Sequence, residues 1–176
     1  VQGQDQHGAS TAMPRGGRDS RALFIVDDGQ NDHLETENFR LIMTPADTAE
    51  LHTSTNALSN ERLGATIVSL DDVFYDVGVR LKGSFVGRDA LRVGFNIRFH
   101  PDQKFRGVHE KVSIDRSTHA VLGIDEILVK HIANQAGGIP GMYDDVIHFV
   151  APREIHTGKA ALRMAAFENV YLDSQF

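Results

Sequence analysis

The clearest hydrophobic rhythm lies in the middle of the chain. Val73, Tyr75, Val77, Val79 and Leu81 alternate with Phe74, Asp76, Gly78, Arg80 and Lys82, and apart from Phe74 the alternation has period two. That period belongs to a strand with one buried face. Phe95, Ile97 and Phe99 alternate in the same way with Asn96, Arg98 and His100, and Pro101 ends the run. The short glycine-containing connection over residues 83–94 predicts antiparallel pairing, with both apolar rows facing one core. Further strands are predicted over residues 39–43, 65–70, 111–114, 146–151 and 160–167, with Asp71-Asp72 as a turn. A marginal edge strand is predicted over residues 22–26, stopped by Asp27-Asp28-Gly29.

Helical spacing occurs twice. Thr44 is placed to cap a short helix with Pro45 at its first position and an end near His52. Ile124, Ile127, Leu128, His131 and Ile132 fall at helical intervals, and Gly137-Gly138 with Pro140 supplies the stop. Strands grouped around this one main helix predict an α+β domain with a mostly antiparallel twisted sheet. Residues 1–21 are rich in Gly, Gln, Ser, Asp and Arg and read as a disordered tail or linker, leaving residues 22–176 as the domain.

Composition narrows the classes. The 176 residues suffice for one domain with a real core, and 41% hydrophobic with 24% charged residues is ordinary for a globular chain. A net charge of -6, with Lys and Arg scattered, argues against a nucleic-acid surface. No apolar run approaches the roughly 20 residues of a membrane-spanning helix. The absence of cysteine excludes disulfides, cysteine-based zinc sites and thiol catalysis. The chain opens at Val1 with no signal-peptide core, and so reads as a processed chain or a piece of a longer reading frame.

Candidate chemistry is sparse. Gly78, Gly83 and Gly87 with Lys82, Ser84 and Arg88 supply the ingredients of a phosphate-binding loop without the Walker or kinase glycine-loop spacing. The pairs Asp27-Asp28, Asp71-Asp72 and Asp144-Asp145 suit turns and caps better than a metal, since adjacent strand residues point to opposite faces. The histidines form no HExxH motif, His131 reads as a partly buried packing residue, and Gly-x-Ser-x-Gly is absent.

An ordered series of segments adds to this reading. Val77-Gly78-Val79-Arg80-Leu81-Lys82-Gly83-Ser84 is followed by Val93-Gly94-Phe95-Asn96-Ile97-Arg98-Phe99. Next come Phe105-Arg106-Gly107-Val108 with Val112-Ser113-Ile114-Asp115-Arg116, and then the helix with Gly138-Ile139-Pro140. Together they resemble the spore-coat protein H (CotH) kinase-like family: its strand ending in Arg-x-Lys-Gly-Ser, its aromatic and basic strand, its glycine turn, and its helix with a Gly-x-Pro exit. The resemblance implies the N-terminal lobe of an atypical protein-kinase fold, which transfers phosphate to protein substrates using ATP and a divalent metal, Mg or Mn. On that reading residues 22–176 are the N-terminal part of such a domain. Arg80, Lys82, Gly83 and Ser84 match the motif that faces the nucleotide phosphates. Where many members have a second Ser and paired lysines, this chain departs with Gly87, Arg88, Arg92 and Val93, and Arg88 and Arg92 are included in the expected nucleotide-binding set.

The family's catalytic and metal-binding aspartates are expected beyond Phe176, so no catalytic or metal residue is expected within the chain. The second lobe would be its partner in cis, leaving an exposed junction face near Leu162, Phe167, Val170 and Tyr171. Met164 or Ala165 replaces the acidic residue expected at that junction. The implied setting is an exported or cell-surface bacterial protein. The alternative is a non-catalytic structural or binding module of an exported multidomain protein. A third reading, a sugar- or metal-binding β domain, rests only on the nine histidines.

Overall fold

A computed structural model describes residues 2–4, 6, 10–12, 23, 36–53, 58–70, 72–88, 91–116, 124–136 and 143–164. Strands β1 (Gln2–Gln4) and β2 (Ser10–Ala12) form a small antiparallel pair within the stretch read as a tail. The strand expected over 22–26 lies outside the described residues except for Leu23, whose N–H donates to Thr66 Oγ1 at 3.4 Å.

The remaining strands close on themselves. They are β3 (Glu37–Ile42), β4 (Leu63–Ser69), β5 (Asp72–Lys82), β6 (Gly94–Arg98), β7 (Lys111–Asp115), β8 (Tyr143–Val150) and β9 (Gly158–Met164), and their order around the barrel is β3-β4-β5-β6-β7-β9-β8. All neighbours are antiparallel except β3 and β8, which run parallel with Phe39 opposite Phe149. The expected sheet-and-helix lobe of a kinase is therefore corrected to a closed, mixed seven-stranded β-barrel with few helices. The reason lies in where each fold keeps its core. An open sheet buries one face under a helix, whereas a closed barrel buries the inner faces of its strands against each other.

The interior is filled by the alternating residues. Val77, Val79, Leu81, Phe95 and Ile97 meet Phe39, Ile67, Ile114, Ile147, Phe149 and Leu162, each at most 2% exposed. Phe99 joins them as expected, closing one end with Phe74 and Phe105 at centroid separations of 5.0 and 5.4 Å. Phe74, the misfit of the period-two pattern, points inward because β5 is bulged. Ala65 pairs with Val77 but Ile67 pairs with Phe74, so Tyr75 and Asp76 together oppose Thr66. Asp76 takes a φ of 55°, and the extra residue moves the inward row from even to odd positions.

Helix α1 (Pro45–Leu51) forms as its sequence predicts. Thr44 Oγ1 accepts from the Asp47 N–H at 3.1 Å and its hydroxyl donates to Asp47 Oδ2 at 2.6 Å, while Leu51 enters the core at the opposite end from Phe99. A four-residue helix α2 (Phe85–Arg88) follows β5.

Helix α3 (Ile124–Ala136) also forms, but its packing differs from expectation. Leu128, Val129 and Ile132 are 54, 63 and 56% exposed, and His131 is exposed rather than partly buried. The helix lies against the polar outside of the barrel and is held there by charge. Lys130 Nζ donates to Asp144 Oδ2 at 2.7 Å, and Arg163 makes a two-pronged contact with Glu126 at 3.0 Å. Asp144 and Asp145 are thus strand residues in ion pairs, not turn residues. Leu162, expected on an exposed junction, is fully buried, and Phe167, Val170 and Tyr171 lie outside the described residues.

Two stability measurements check this packing. Phe95→Ala is expected to cost about 3–5 kcal/mol in denaturant unfolding, because its ring is fully buried between Phe149 and the histidines above it; a cost near that of an exposed site contradicts the barrel core. Leu70 sits 70% exposed in the β4–β5 turn at φ 51°, where an L side chain is strained. Leu70→Gly is expected to raise stability by about 0.5–1 kcal/mol, and an unchanged or lowered midpoint contradicts that strain.

Candidate functional site

The outward faces of β5 and β6, with the residue just before β4, carry a field of arginines. Pairing sets Arg80 beside Asn96 and Gly78 beside Arg98, and Arg62 immediately precedes β4. Arg62 lies flat across β5: its Nη1 donates to the Asn96 carbonyl at 3.1 Å and to the Gly78 carbonyl at 3.5 Å, and its Nη2 to Asn96 Oδ1 at 2.6 Å. Glycine at position 78 makes this possible, since a Cβ there would stand 3.0 Å from Arg62 Cδ. Asn96 is oriented from its other side by donating to Ser113 Oγ at 3.2 Å.

Arg62, Arg80 and Arg98 enter no ion pair among the described residues. Burial lowers the pKa of Arg62, and the charges of Arg80 and Arg98 lower it further; burial and then Arg88 do the same to Arg80. Guanidinium remains charged at any physiological pH, so these shifts reflect burial first and the neighbouring cations second, and an anion would relieve the second.

Four of the six sequence-predicted residues meet here and two do not. Arg80 faces outward and donates to the Leu81 carbonyl at 3.1 Å. Gly83 turns the chain at φ 100°, and the Ser84 carbonyl accepts from the Arg88 N–H at 3.0 Å. Arg88 folds back over this turn, with Nε donating to the Gly83 carbonyl and Nη1 to the Ser59 carbonyl, both at 2.8 Å. Lys82 instead leans to the far side of β6 and pairs with Asp115 at 3.0 Å. Arg92 is exposed elsewhere, near enough to Arg116 that its charge adds to burial in lowering the Arg116 pKa. Sequence reasoning missed Arg62, Arg98 and Asn96 as site residues. The outward alternation of β6 carried the signal for the last two; nothing local carried it for Arg62, which reaches the site through a side chain laid over a glycine.

Next to this field lies a neutralised belt. Arg163 Nη2 meets Asp115 at 3.2 Å and its guanidinium binds Glu126, while Lys130 bridges Glu126 at 2.8 Å and Asp144 at 2.7 Å. For both cations burial works against the charge, but the carboxylate partners outweigh it and raise the pKa. This cluster is balanced and structural. Among the described residues no group of three or more His, Asp or Glu could hold a metal ion. No known family model matches the sequence, and no curated protein matches it.

The barrel end beneath α1 is plugged by two histidines. The His52 and His156 rings stack with centroids 4.8 Å apart, and each meets the Phe95 ring edge-on at 6.3 Å. His156 Nδ1 lies 3.2 Å from the Leu91 carbonyl, which can only accept, so the neutral ring carries its proton there. His52 Nε2 is buried without a hydrogen-bond partner. Burial, with Arg153 and His156, pushes the His52 pKa from 6.5 down to about 4. Burial, aided by Arg153 and Arg116, also lowers that of His156 against the pull of the Leu91 carbonyl.

Both rings are thus uncharged in the fold and chargeable when unfolded. Their contribution is complete above pH 6.5 and is lost as pH falls from 6.5 towards 4, where the unfolded chain binds more protons. The thermal midpoint is expected to drop across that window, and His52→Phe to flatten the drop while His131→Phe leaves it intact. An unchanged slope in His52→Phe rules out the plug as the source.

Proposed function

We propose that this barrel is a binding module for a phosphate-bearing ligand, recognised by the arginine field of Arg62, Arg80, Arg88 and Arg98. One observation carries the reading: Arg62, Arg80 and Arg98 stand together on the outer wall with no carboxylate pair among the described residues, beside a belt where the cations are matched. Planar guanidiniums suit the oxygens of phosphate, and each presents several donors in a fixed fork. The field is an open surface on antiparallel strands, so it is suited to holding an anion rather than to enclosing a reacting centre. This favours a non-catalytic module over a transferase. A second reading, a fragment of a CotH-like kinase without the fold of its nucleotide-side lobe, is favoured by the order of the motifs and by the meeting of Arg80 and Arg88 at the Gly83-Ser84 turn. Its aspartates and its metal would come from elsewhere in the parent protein.

Calorimetric titration with inorganic tripolyphosphate, ATP and MgATP separates the readings. The module predicts similar affinities for tripolyphosphate and ATP, both weakening steeply with salt. Arg62→Ala and Arg80→Ala are each expected to weaken binding about tenfold, or about 1.4 kcal/mol. Lys82→Ala is expected to change it little, because Lys82 is engaged with Asp115. Arg80→Ala should keep or slightly raise the melting midpoint, since it relieves repulsion, whereas Arg62→Ala also removes the hydrogen bonds to Asn96 and Gly78 and should lower it. Preference for MgATP by tenfold or more moves the assignment to the kinase reading, and absence of binding by all three ligands defeats both.

A further inference from the structure

We propose a second binding site, for a small neutral molecule that presents a hydroxyl donor on an apolar body, in the cavity between α3 and the start of β8. The cavity follows from how α3 is held. Its polar contacts run through Glu126 and Lys130, so the helix stands on ion pairs instead of settling its apolar side chains onto the wall. The space left beside it measures about 320 Å³, and its lining includes Ile127 and Leu128 of the helix with Tyr143 and Asp144 of β8. That volume lies at the lower end of the roughly 300–1,000 Å³ of pockets that enclose small ligands. Leu128 and Tyr143 are 54 and 52% exposed, so the cavity opens to solvent.

The group that specifies the ligand is Asp144. It sits on β8 opposite Arg163 of β9, and its side chain is only 1% exposed. Its Oδ2 accepts from Lys130 Nζ at 2.7 Å and stands 3.9 Å from Arg163 Nε. Its Oδ1 is buried and has no hydrogen-bond partner among the described residues. A buried acceptor left without a donor is costly, and a charged acceptor makes a strong hydrogen bond once a donor reaches it. The same surroundings choose the donor. A cation would meet Lys130 and Arg163, which already share this carboxylate, and an anion would meet the carboxylate itself. A neutral hydroxyl meets neither objection. It donates to Oδ1 while the rest of the molecule lies against Ile127, Leu128 and Tyr143. In the free protein a water can serve Oδ1, and the ligand hydroxyl takes its place. None of Arg62, Arg80, Arg88 and Arg98 lines this cavity, so the inference stands apart from the phosphate-binding one.

The test uses the intact chain and the fluorescence of 2-naphthol, a phenol that is neutral at about pH 7. One 2-naphthol is expected per chain. Its methyl ether, 2-methoxynaphthalene, cannot donate and is expected to bind about tenfold more weakly. Leu128→Ser removes a lining side chain from an exposed position, and is expected to weaken 2-naphthol about tenfold without moving the melting midpoint. Ile132→Ser alters an equally exposed residue of α3 outside the lining and should leave binding intact. Asp144→Asn exchanges the charged acceptor for a neutral one and should shrink the preference for 2-naphthol over its ether. The inference is overturned if the ether binds as well as 2-naphthol, if Leu128→Ser binds as well as the parent, or if Ile132→Ser costs as much as Leu128→Ser. A folded Asp144→Asn that keeps the full preference overturns it too. Should Asp144→Asn fold poorly because Lys130 loses its partner, the ether and the two serine variants decide the matter alone.

Discussion

The pairing of β3 with β8 is the constraint on which the rest of this molecule depends. It joins the first strand of the barrel to its second-last, with Glu37 opposite Ile147 and Arg40 opposite Val150. Without it the other six pairings leave an open sheet whose two terminal strands expose unpaired backbone groups, a template for association. Side chains reinforce the seam at one end. Arg106, projected from a tight turn at φ 50°, donates to Glu37 Oε2 at 2.8 Å and Asp145 Oδ2 at 2.6 Å, so one guanidinium holds both strands. Burial opposes its charge, yet the two carboxylates raise its pKa, which marks the clamp as net favourable to the charged form. Inside, Phe39 and Phe149 lie across the same seam at 6.3 Å, and Phe149 meets Phe95 at 5.0 Å.

Closure decides what every other element can do. Once the apolar rows face inward, the outer wall is left with the polar half of each strand. Helix α3 therefore finds no hydrophobic surface to cover and docks through Glu126 and Lys130, leaving Leu128 and Ile132 in solvent. These pairs are partly buried, with the Asp144 side chain almost fully so, and the helix is anchored by charge rather than by an apolar seat. The same outer wall sorts its cations into two populations. Lys82, Lys130 and Arg163 are matched with Asp115, Glu126 and Asp144, while Arg62, Arg80 and Arg98 have no carboxylate partner among the described residues. That contrast is what the proposed phosphate-binding role rests on.

Much of the local structure was legible in the sequence. Alternation located β5 and β6 and their buried rows, Thr44 and Pro45 located the start of α1, and Gly137-Gly138 marked the end of α3. Closure was not legible, because inward-outward alternation looks the same in an open sheet and in a barrel. Phe39 and Phe149 carry no mark of each other; only the three-dimensional register unites them. The helix misled for a related reason: its apolar spacing fits a buried stripe, but the barrel had already buried its own surface. Of the predicted phosphate-side residues, Arg80, Gly83, Ser84 and Arg88 stayed together because they are close in sequence along one strand and its turn. Lys82, two residues from Arg80 and on the same face, was drawn away by Asp115 on β7, a partner that only strand order brings near.

The bulge at Tyr75 and Asp76 ties the core to the arginine field. A strand of fixed period two cannot send both Phe74 and Val77 inward, since they differ by an odd step. Keeping Phe74 in the aromatic plug would then turn Val77, Val79 and Leu81 out and drive Arg80 and Lys82 into the barrel. Burying two unpaired cations there would cost far more than the plug could return. The extra residue opposite Thr66 resolves the conflict: Phe74 packs edge-on against Phe99 at 5.0 Å, and eight residues later Lys82 still reaches Asp115 on the outer wall. The backbone of Asp76, held in the left-handed region at φ 55°, is therefore what allows one strand to serve both the hydrophobic core at its start and the cationic surface at its end.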